Sequence, residues 1–144
     1  MQITITSNCA AVAAQLGIAA SDIQAGIEAG LKAATEKVAL PADKARLEVI
    51  YQQAIPDSPT GRPLWKRTGH LRDAEQAVFS SPNSAVIQTD PSSPAWAYSE
   101  PRHELQTPGR TNPWRTESME ELEANPELIA TFEDAFKERV GIIT

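Results

Sequence analysis

Two histidines and one cysteine are the most reactive side chains in this sequence. His103 precedes Glu104, and a histidine that titrates near neutrality beside a carboxylate suits acid–base catalysis or metal binding. Adjacent residues of an extended chain point in opposite directions, however, so these two side chains do not converge on one atom. We therefore expect His103, His70 and Cys9 to be ordinary surface or packing residues.

No sequence motif supplies a catalytic or cofactor-binding constellation. The chain contains no glycine-rich phosphate loop, no dinucleotide-binding glycine pattern, no His-Glu-x-x-His and no Gly-x-Ser-x-Gly. One cysteine and two histidines are too few for an ordinary structural zinc site. The sequence therefore predicts no enzyme, no cofactor and no metal ion.

Arginines and aromatic residues gather in the middle of the chain, where recognition chemistry is most plausible. Arginine forks bind carboxylates through two parallel hydrogen bonds, so they could contact the acidic C-terminal segment of a neighbouring subunit. The alternatives are solvated charge for the arginines and core packing for the aromatic rings. The candidates are Arg67, Arg72, Arg102, Arg110, Trp96, Tyr98 and Trp114.

The net charge of −6 is distributed unevenly along the 144 residues. The balance is −2 for residues 1–61, +2 for 62–115 and −6 for 116–144. A dedicated nucleic-acid-binding protein needs a strong basic face, because phosphate neutralisation supplies most of its affinity. We therefore do not expect this chain to bind DNA tightly on its own.

Length and composition indicate a single domain, residues 1–144. The one cysteine cannot form an intramolecular disulfide, the N-terminal segment lacks the basic start of a signal peptide, and no apolar run approaches 18 residues. We therefore expect a protein that is made and folded in the cytosol.

The sequence of the N-terminal region predicts a strand followed by helices. Period-2 alternation predicts a half-buried strand over Met1–Ser7, and an alanine-rich helix is predicted for Cys9–Leu16, ending at Gly17. Ser21 is the expected N-cap of a second helix. The apolar stripe of that helix is Ile23, Ile27, Leu31, Ala34 and Val38.

Glycine and proline interrupt this helical pattern. Gly26 and Gly30 lie beside the apolar stripe, and we expect the helix to tolerate them rather than to need them for close packing. Pro41 is expected to interrupt, kink or end the helix, with helical spacing resuming over Ala42–Ala54. The proline-rich stretch Ile55–Pro63 predicts a turn-rich connection.

The middle of the chain predicts a small antiparallel sheet. Two apolar runs, Ala77–Phe79 and Ala85–Ile87, indicate a hairpin with a loop of about five residues. A third short strand is expected over Ala95–Tyr98, where Trp96 and Tyr98 would share a face. The polar segment Ser99–Pro113 predicts a long ordered loop.

Two helices are predicted near the C-terminus. Ser118 and Glu121 match a capping box, with Met119 and Leu122 facing inward. Asn125-Pro126-Glu127 is a second start signal, and Gly141 is the expected stop. The stripe of this last helix is Leu128, Phe132, Ala135, Phe136 and Val140. The fold class predicted is α+β, with an N-terminal helical region, a small antiparallel sheet with a hairpin and a long loop, and a C-terminal helix.

The segment Trp65–Arg72 resembles a signature of small tailed-bacteriophage neck proteins, of head-tail connector, tail-completion or minor capsid type. That signature is a proline followed after a few residues by Thr-Gly-x-Leu-Arg, here Thr68, Gly69, Leu71 and Arg72. Ala97–Glu100 with His103-Glu104 are similar to the middle element of the family, and Asn112–Trp114 is similar to the proline-aromatic pair that opens its last helix. The chain departs from the family in carrying Lys66-Arg67 before Thr-Gly and an insertion over Thr60–Leu64.

The resemblance implies a structural virion protein without catalysis. Such proteins assemble in the host cytoplasm into closed rings of six or twelve copies in the virion neck, contact adjacent neck, portal-adaptor or tail proteins, and let the genome pass through the lumen. The resemblance also leaves open that the chain is a tail terminator or a capsid-attached minor protein. From another class, a small cytosolic module that binds a peptide or nucleic acid stays an alternative. The interface residues expected are Arg67, Thr68, Gly69, Leu71, Arg72, Trp96, Tyr98, Arg102, Arg110 and Trp114.

Overall fold

The computed structural model describes residues 1–6, 8–52, 70–96, 106–107, 110–111 and 114–141. Helices dominate both ends of the chain and a three-stranded antiparallel sheet lies between them, which confirms the predicted α+β class. The described elements are β1 (Gln2–Thr4), α1 (Cys9–Leu16), α2 (Ala20–Ala34), a π-helical turn (Thr35–Ala39), α3 (Leu40–Gln52), α4 (His70–Ala74), β2 (Glu75–Ser81), β3 (Ser84–Thr89), β4 (Gln106–Thr107), β5 (Arg110–Thr111), α5 (Trp114–Glu123) and α6 (Pro126–Val140).

The main sheet has the strand order β1-β3-β2, so the N-terminal strand pairs with the second strand of the hairpin. Ile3 lies opposite Ala85, and Phe79 lies opposite Ala85 on the other side. Ile3 is half-buried between exposed neighbours, which confirms a half-buried strand here, although β1 covers only Gln2–Thr4 of the predicted Met1–Ser7. β4 and β5 form a separate antiparallel pair within the region where a long loop was expected.

The hairpin turn is shorter than predicted. The expected loop of about five residues is wrong, because Ser81 pairs with Ser84 and only Pro82 and Asn83 lie between the strands. A bulge between Phe79 and Ser81 accommodates the extra residue. The backbone carbonyl of Asn83 accepts from the Ile5 N–H at 2.8 Å. The side-chain amide of Asn83 donates to the Ile5 carbonyl at 3.1 Å. These bonds hold the turn against the chain that follows β1.

The first two helices begin and end largely as their sequences indicate. The Asn8 side chain accepts from the Ala11 N–H at 3.3 Å, and Gly17 adopts a φ of 67°, which confirms a helix over Cys9–Leu16. α2 begins at Ala20, and Ala19 at its N-cap position makes no side-chain hydrogen bond, so the predicted cap at Ser21 is wrong. The predicted stripe from Ile23 to Val38 is buried throughout, which confirms it.

Pro41 interrupts the regular α-helix without ending the helical segment, which is one of the outcomes expected at this position. The segment continues from α2 through the π-helical turn into α3, and the Leu40 N–H donates to the Thr35 carbonyl, five residues back. The carbonyl four residues before Pro41 belongs to Lys37, inside this wider turn. A proline ring would clash with that carbonyl in a regular α-helix. The π-helical turn therefore accommodates Pro41.

α6 packs antiparallel along α2, with the two glycines of α2 at the contact. A Cβ built on Gly26 would lie 2.8 Å from Phe136, and one built on Gly30 would lie 2.7 Å from Phe132. The expectation that the helix merely tolerates these glycines is therefore wrong, because at both positions α6 leaves no room for a Cβ unless its atoms shift. α6 itself follows prediction: the Asn125 side chain accepts from the Glu127 N–H at 2.9 Å, and Gly141 ends the helix with a φ of 75°.

α5 starts earlier than its sequence suggests. It begins at Trp114, so Ser118 lies inside the helix, fully buried, and the predicted capping box is wrong. Leu122 is buried as expected, but Met119 is 41% exposed rather than inward-facing. The start of the helix at Trp114 explains the capping error, because the cap was assigned about one turn too late.

Besides the buried stripe of α2, two clusters of buried apolar side chains contribute to the core of the described region. One cluster joins π-helical-turn residues to the sheet and α5: Val38, Ala39, Ile87 and Leu122. The other joins α3, α4 and the segment after β3: Leu47, Leu71, Ala74 and Ala95. Ala95 lies in a turn and Trp96 is helical, so the strand predicted over Ala95–Tyr98 is wrong for these two residues. Tyr98 lies outside the described residues.

No single helix of the described residues combines the length and apolarity needed to cross a membrane. Only α1 together with Ala20–Glu48, two segments that meet at a bend of 110°, satisfies the length and composition criteria as a pair.

Candidate interaction surface

An apolar groove lies where α1, α2, α6 and the end of β1 meet. Its floor is Ile23 and Ile27 on α2, both buried beneath the groove. Val12 on α1 and Ile5, just after β1, form one side. The cavity measures about 220 Å³. Because α1 crosses α2 at a steep angle, the two helices leave this space between them instead of closing it.

Two phenylalanines of α6 form the opposite wall of the groove. The rings of Phe132 and Phe136 stack with centroids 6.2 Å apart and planes inclined by 19°. Glu133 and Lys137 lie on the same wall and approach each other to 4.0 Å. Ile129 is 62% exposed and stands one helical turn before Phe132 and Glu133, so it extends the apolar surface beyond the groove.

The surface around this groove carries no charged side chain from the N-terminal part of the chain. Met1 to Ser21 contains no Asp, Glu, Lys or Arg, although Leu16 is 50% exposed and no residue of α1 is buried. Soluble domains usually keep about 25–35% charged residues on their surface. An exposed, uncharged helix beside an apolar groove is typical of a surface that another molecule covers.

The hairpin is the second uncharged segment. Residues 76–89 contain no charged side chain, and Val78 and Phe79 on β2 are 37% and 38% exposed. β2 is an edge strand of the main sheet. The absence of charge over 1–21 and 76–89 is the signal in the sequence that could have identified these surfaces. The charge balances over residues 1–61 and 62–115 average this absence away.

A second, more open groove lies beside Pro41 and contains charged groups. It measures about 590 Å³ and is lined on one side by Leu40, Pro41 and Ala45. Arg72 donates to Glu48 at 2.6 Å and to Asp73 at 3.0 Å across it. The hydrogen bond to Glu48, followed by that to Asp73, raises the pKa of the Arg72 guanidinium above its ordinary value. Arg72 thus links α4 to α3 within one chain.

The predicted interface residues fall in different environments. Leu71 is buried in the cluster with Ala95, so its side chain packs the core. Trp96 is 46% exposed. Ala95, which precedes Trp96, belongs to the same cluster as Leu71, which precedes Arg72. The backbone therefore brings Arg72 and Trp96 to the same region. Arg110 begins β5 and Trp114 begins α5. The other predicted residues, Arg67, Thr68, Gly69, Tyr98 and Arg102, lie outside the described residues.

A buried polar pair lies at the far end of the hairpin. The Thr89 hydroxyl donates to a carboxylate oxygen of Glu75 at 2.5 Å, and both residues are almost fully buried. The pair joins the first residue of β2 to the last residue of β3, so it holds the two strands together at this end of the hairpin. Within the described ranges, no group of three or more His, Cys, Asp or Glu side chains is placed to hold a metal ion.

No family model, no curated protein and no solved structure matches this chain.

Proposed function

We propose that this chain is a structural virion protein of a tailed phage, which forms an oligomeric ring in the neck that joins head to tail. The genome passes through the lumen of that ring. The sequence support is the resemblance carried by Thr68, Gly69, Leu71 and Arg72 and by the order of elements that follows them. Leu71 packs in the core and Arg72 ties α4 to α3, so two of these four residues have a part in building the subunit.

The observation that carries the proposal is the uncharged apolar surface on two separate parts of one chain. The groove wall from α1 and the exposed side chains of β2 both lack charged neighbours in sequence. A closed ring needs two different surfaces on every subunit, because its contacts are heterologous. A chain that assembles covers such surfaces, whereas a monomer would leave them in water.

The acidic C-terminal part fits the same proposal. Residues 116–144 carry 8 acidic and 2 basic side chains, and most of the acidic ones described are exposed on α5 and α6. Acidic groups repel phosphate, which lets DNA move past a surface without binding to it. A tail terminator or a capsid-attached minor protein stays the alternative within the same structural class.

The test is the solution mass of the purified chain over a range of concentration, together with electron microscopy of the particles. We expect particles of six or twelve times 15.6 kDa with a central hole, either alone or with a portal-adaptor or tail protein added. A chain that stays monomeric in both conditions contradicts the proposal. If that monomer binds an oligonucleotide in a salt-dependent way, the small binding module is the better explanation.

A further inference from the structure

We propose that successive copies of this chain join by placing Phe79 of one copy in the apolar groove of the next. This inference rests on the proposed ring, and it names the two surfaces that make the ring contact. One surface is the groove between Val12, Ile27 and Phe136. The other is the part of β2 around Phe79, whose side chain is 38% exposed although Ala85, directly opposite it, is buried.

The two surfaces differ in shape, as a cyclic contact requires. The groove is a cavity, and Phe79 is a large apolar side chain that its own chain leaves 38% exposed. The bulge between Phe79 and Ser81 changes the local direction of β2 directly after Phe79. Bulges of this kind often re-aim a side chain at the edge of a sheet. A cavity on one copy and a ring on the next give a heterologous contact that can close.

The size of the cavity fits an aromatic side chain. An apolar cavity of about 150 Å³ is known to hold a benzene ring. The groove measures about 220 Å³, so it has room for the ring of Phe79 and part of its stem. Aromatic side chains that fill an apolar pocket at the centre of an interface are typical binding hot spots.

The two surfaces are also matched in charge. Neither residues 1–21 nor residues 76–89 contribute a charged side chain, and the only charged residues lining the groove, Glu133 and Lys137, lie close to each other. Removing charges from water is costly, so the buried centre of an interface is depleted in them. Two neutral surfaces can therefore meet without that cost. A basic or acidic partner would find no complementary charge on α1.

The first experiment compares Phe79→Asp with Met119→Asp. Both positions carry a similarly exposed large apolar side chain, 38% and 41%, but Met119 lies on α5 and is not one of the residues that line the groove. Loss of a hot-spot residue raises the concentration at half-assembly by about 30-fold or more. We expect this shift for Phe79→Asp and less than about a threefold shift for Met119→Asp. Equal shifts, or no shift for Phe79→Asp, would overturn the proposed contact.

The second experiment mixes two variants that each lack one surface. Phe79→Asp keeps the groove, whereas Val12→Asp keeps Phe79; Val12→Gln, a milder change of the same groove residue, replaces Val12→Asp if circular dichroism shows that the latter is unfolded. Each variant alone should be monomeric. Their equimolar mixture should form a dimer of two 15.6 kDa chains and nothing larger, because one intact contact remains and neither end can extend. A mixture that stays monomeric, or that forms full rings, contradicts the contact.

These results separate the contact from the ring itself. A wild-type ring that persists in Phe79→Asp overturns the contact and leaves the ring intact. A wild-type chain that never assembles, with or without neck partners, overturns both.

Discussion

Gly30 lies directly against Phe132: a Cβ built on Gly30 would be 2.7 Å from two ring carbons and 2.9 Å from the carbonyl oxygen of Phe132. At Gly26 the nearest atoms belong only to the side chains of Phe136 and Val140, at 2.8 Å. Side chains can rotate away from a new methyl group, whereas a helix backbone cannot. The separation of α2 and α6 is therefore limited chiefly at Gly30.

Gly30→Ala should destabilise the protein more than Gly26→Ala does. Alanine improves helix propensity by up to about 1 kcal/mol at both positions. Overpacking opposes this gain by roughly 1–3 kcal/mol, with the larger cost where backbone must move. We expect a net loss of about 1–2 kcal/mol for Gly30→Ala and a change near zero for Gly26→Ala. Urea unfolding measures both.

Phe132→Leu provides the control for this prediction. In the Phe132→Leu background the ring is absent but the carbonyl oxygen stays, so Gly30→Ala should cost less than in the wild type without becoming harmless. If Gly30→Ala stabilises the wild-type protein, the close approach of α2 and α6 does not govern this position.

Replacement by valine should change the free energy of unfolding in opposite directions at two fully buried threonines, Thr35 and Thr89. Thr35, in the π-helical turn, buries a hydroxyl oxygen for which the described structure provides no hydrogen-bond partner. Such a group is destabilising by about 1–3 kcal/mol, so Thr35→Val should raise the free energy of unfolding by about 1 kcal/mol. Thr89 instead donates to the buried Glu75 carboxylate, so Thr89→Val should lower it by about 2–3 kcal/mol.

Chemical denaturation of the two valine variants tests this pair directly. Valine matches threonine in shape, so the packing volume is preserved at both sites and each position is the control for the other. Destabilisation of similar size at both sites would show that the Thr35 hydroxyl has a partner, for example a buried water.

The contribution of Asp90 to the free energy of unfolding should decrease when the pH becomes strongly acidic. Its carboxylate accepts from the Ser92 N–H at 2.9 Å and from the Ser92 hydroxyl at 2.8 Å, and these bonds, the backbone one first, lower the pKa of Asp90 from its ordinary 3.8. A lowered folded-state pKa gives stability that is present above 3.8 and lost as the pH falls through the folded value. The stability difference between wild type and Asp90→Asn should therefore be constant above that pH and shrink below it.

Urea midpoints measured between neutral pH and strong acid check the Asp90 prediction. Asparagine still accepts one hydrogen bond, so the substitution removes mainly the charge-dependent part. Ser92→Ala, which removes only the hydroxyl donor, should give a smaller pH-dependent difference. A wild-type and Asp90→Asn difference that stays constant through the acid range would refute the assignment.

Several sequence signals that depend on a single helix, such as the start and stop residues of α6 and the apolar stripe of α2, predicted the structure correctly. The Asn125-Pro126 start and the Gly141 stop of α6 depend on local hydrogen bonds and backbone angles, and both were correct. The Ile23 to Val38 stripe needed only helical spacing. Signals that depend on a partner were misread: Gly26 and Gly30 have meaning only once α6 lies against them, and Ser81 and Ser84 became strand residues because they pair with each other.

The candidate surface was harder to predict because its residues come from distant parts of the chain. Ile5 and Phe136 line the same groove although they lie near opposite ends of the sequence. Residue type alone drew attention to the arginines and tryptophans of the middle segment. Uncharged segments such as those around Leu16 and Phe79 also suit a buried core, so their lack of charge needs the exposure seen in the fold before it indicates an interaction surface.

The π-helical turn before Pro41 has a geometric effect on everything after it. A π-helical turn holds one residue more than an α-helical turn, which rotates the following residues by about 100° around the axis. Val38 contributes to the cluster beneath the sheet, whereas Leu47 contributes to the separate cluster with Leu71. The helical segment thus continues past Pro41 and contributes apolar side chains to two separate clusters, so one continuous element connects them.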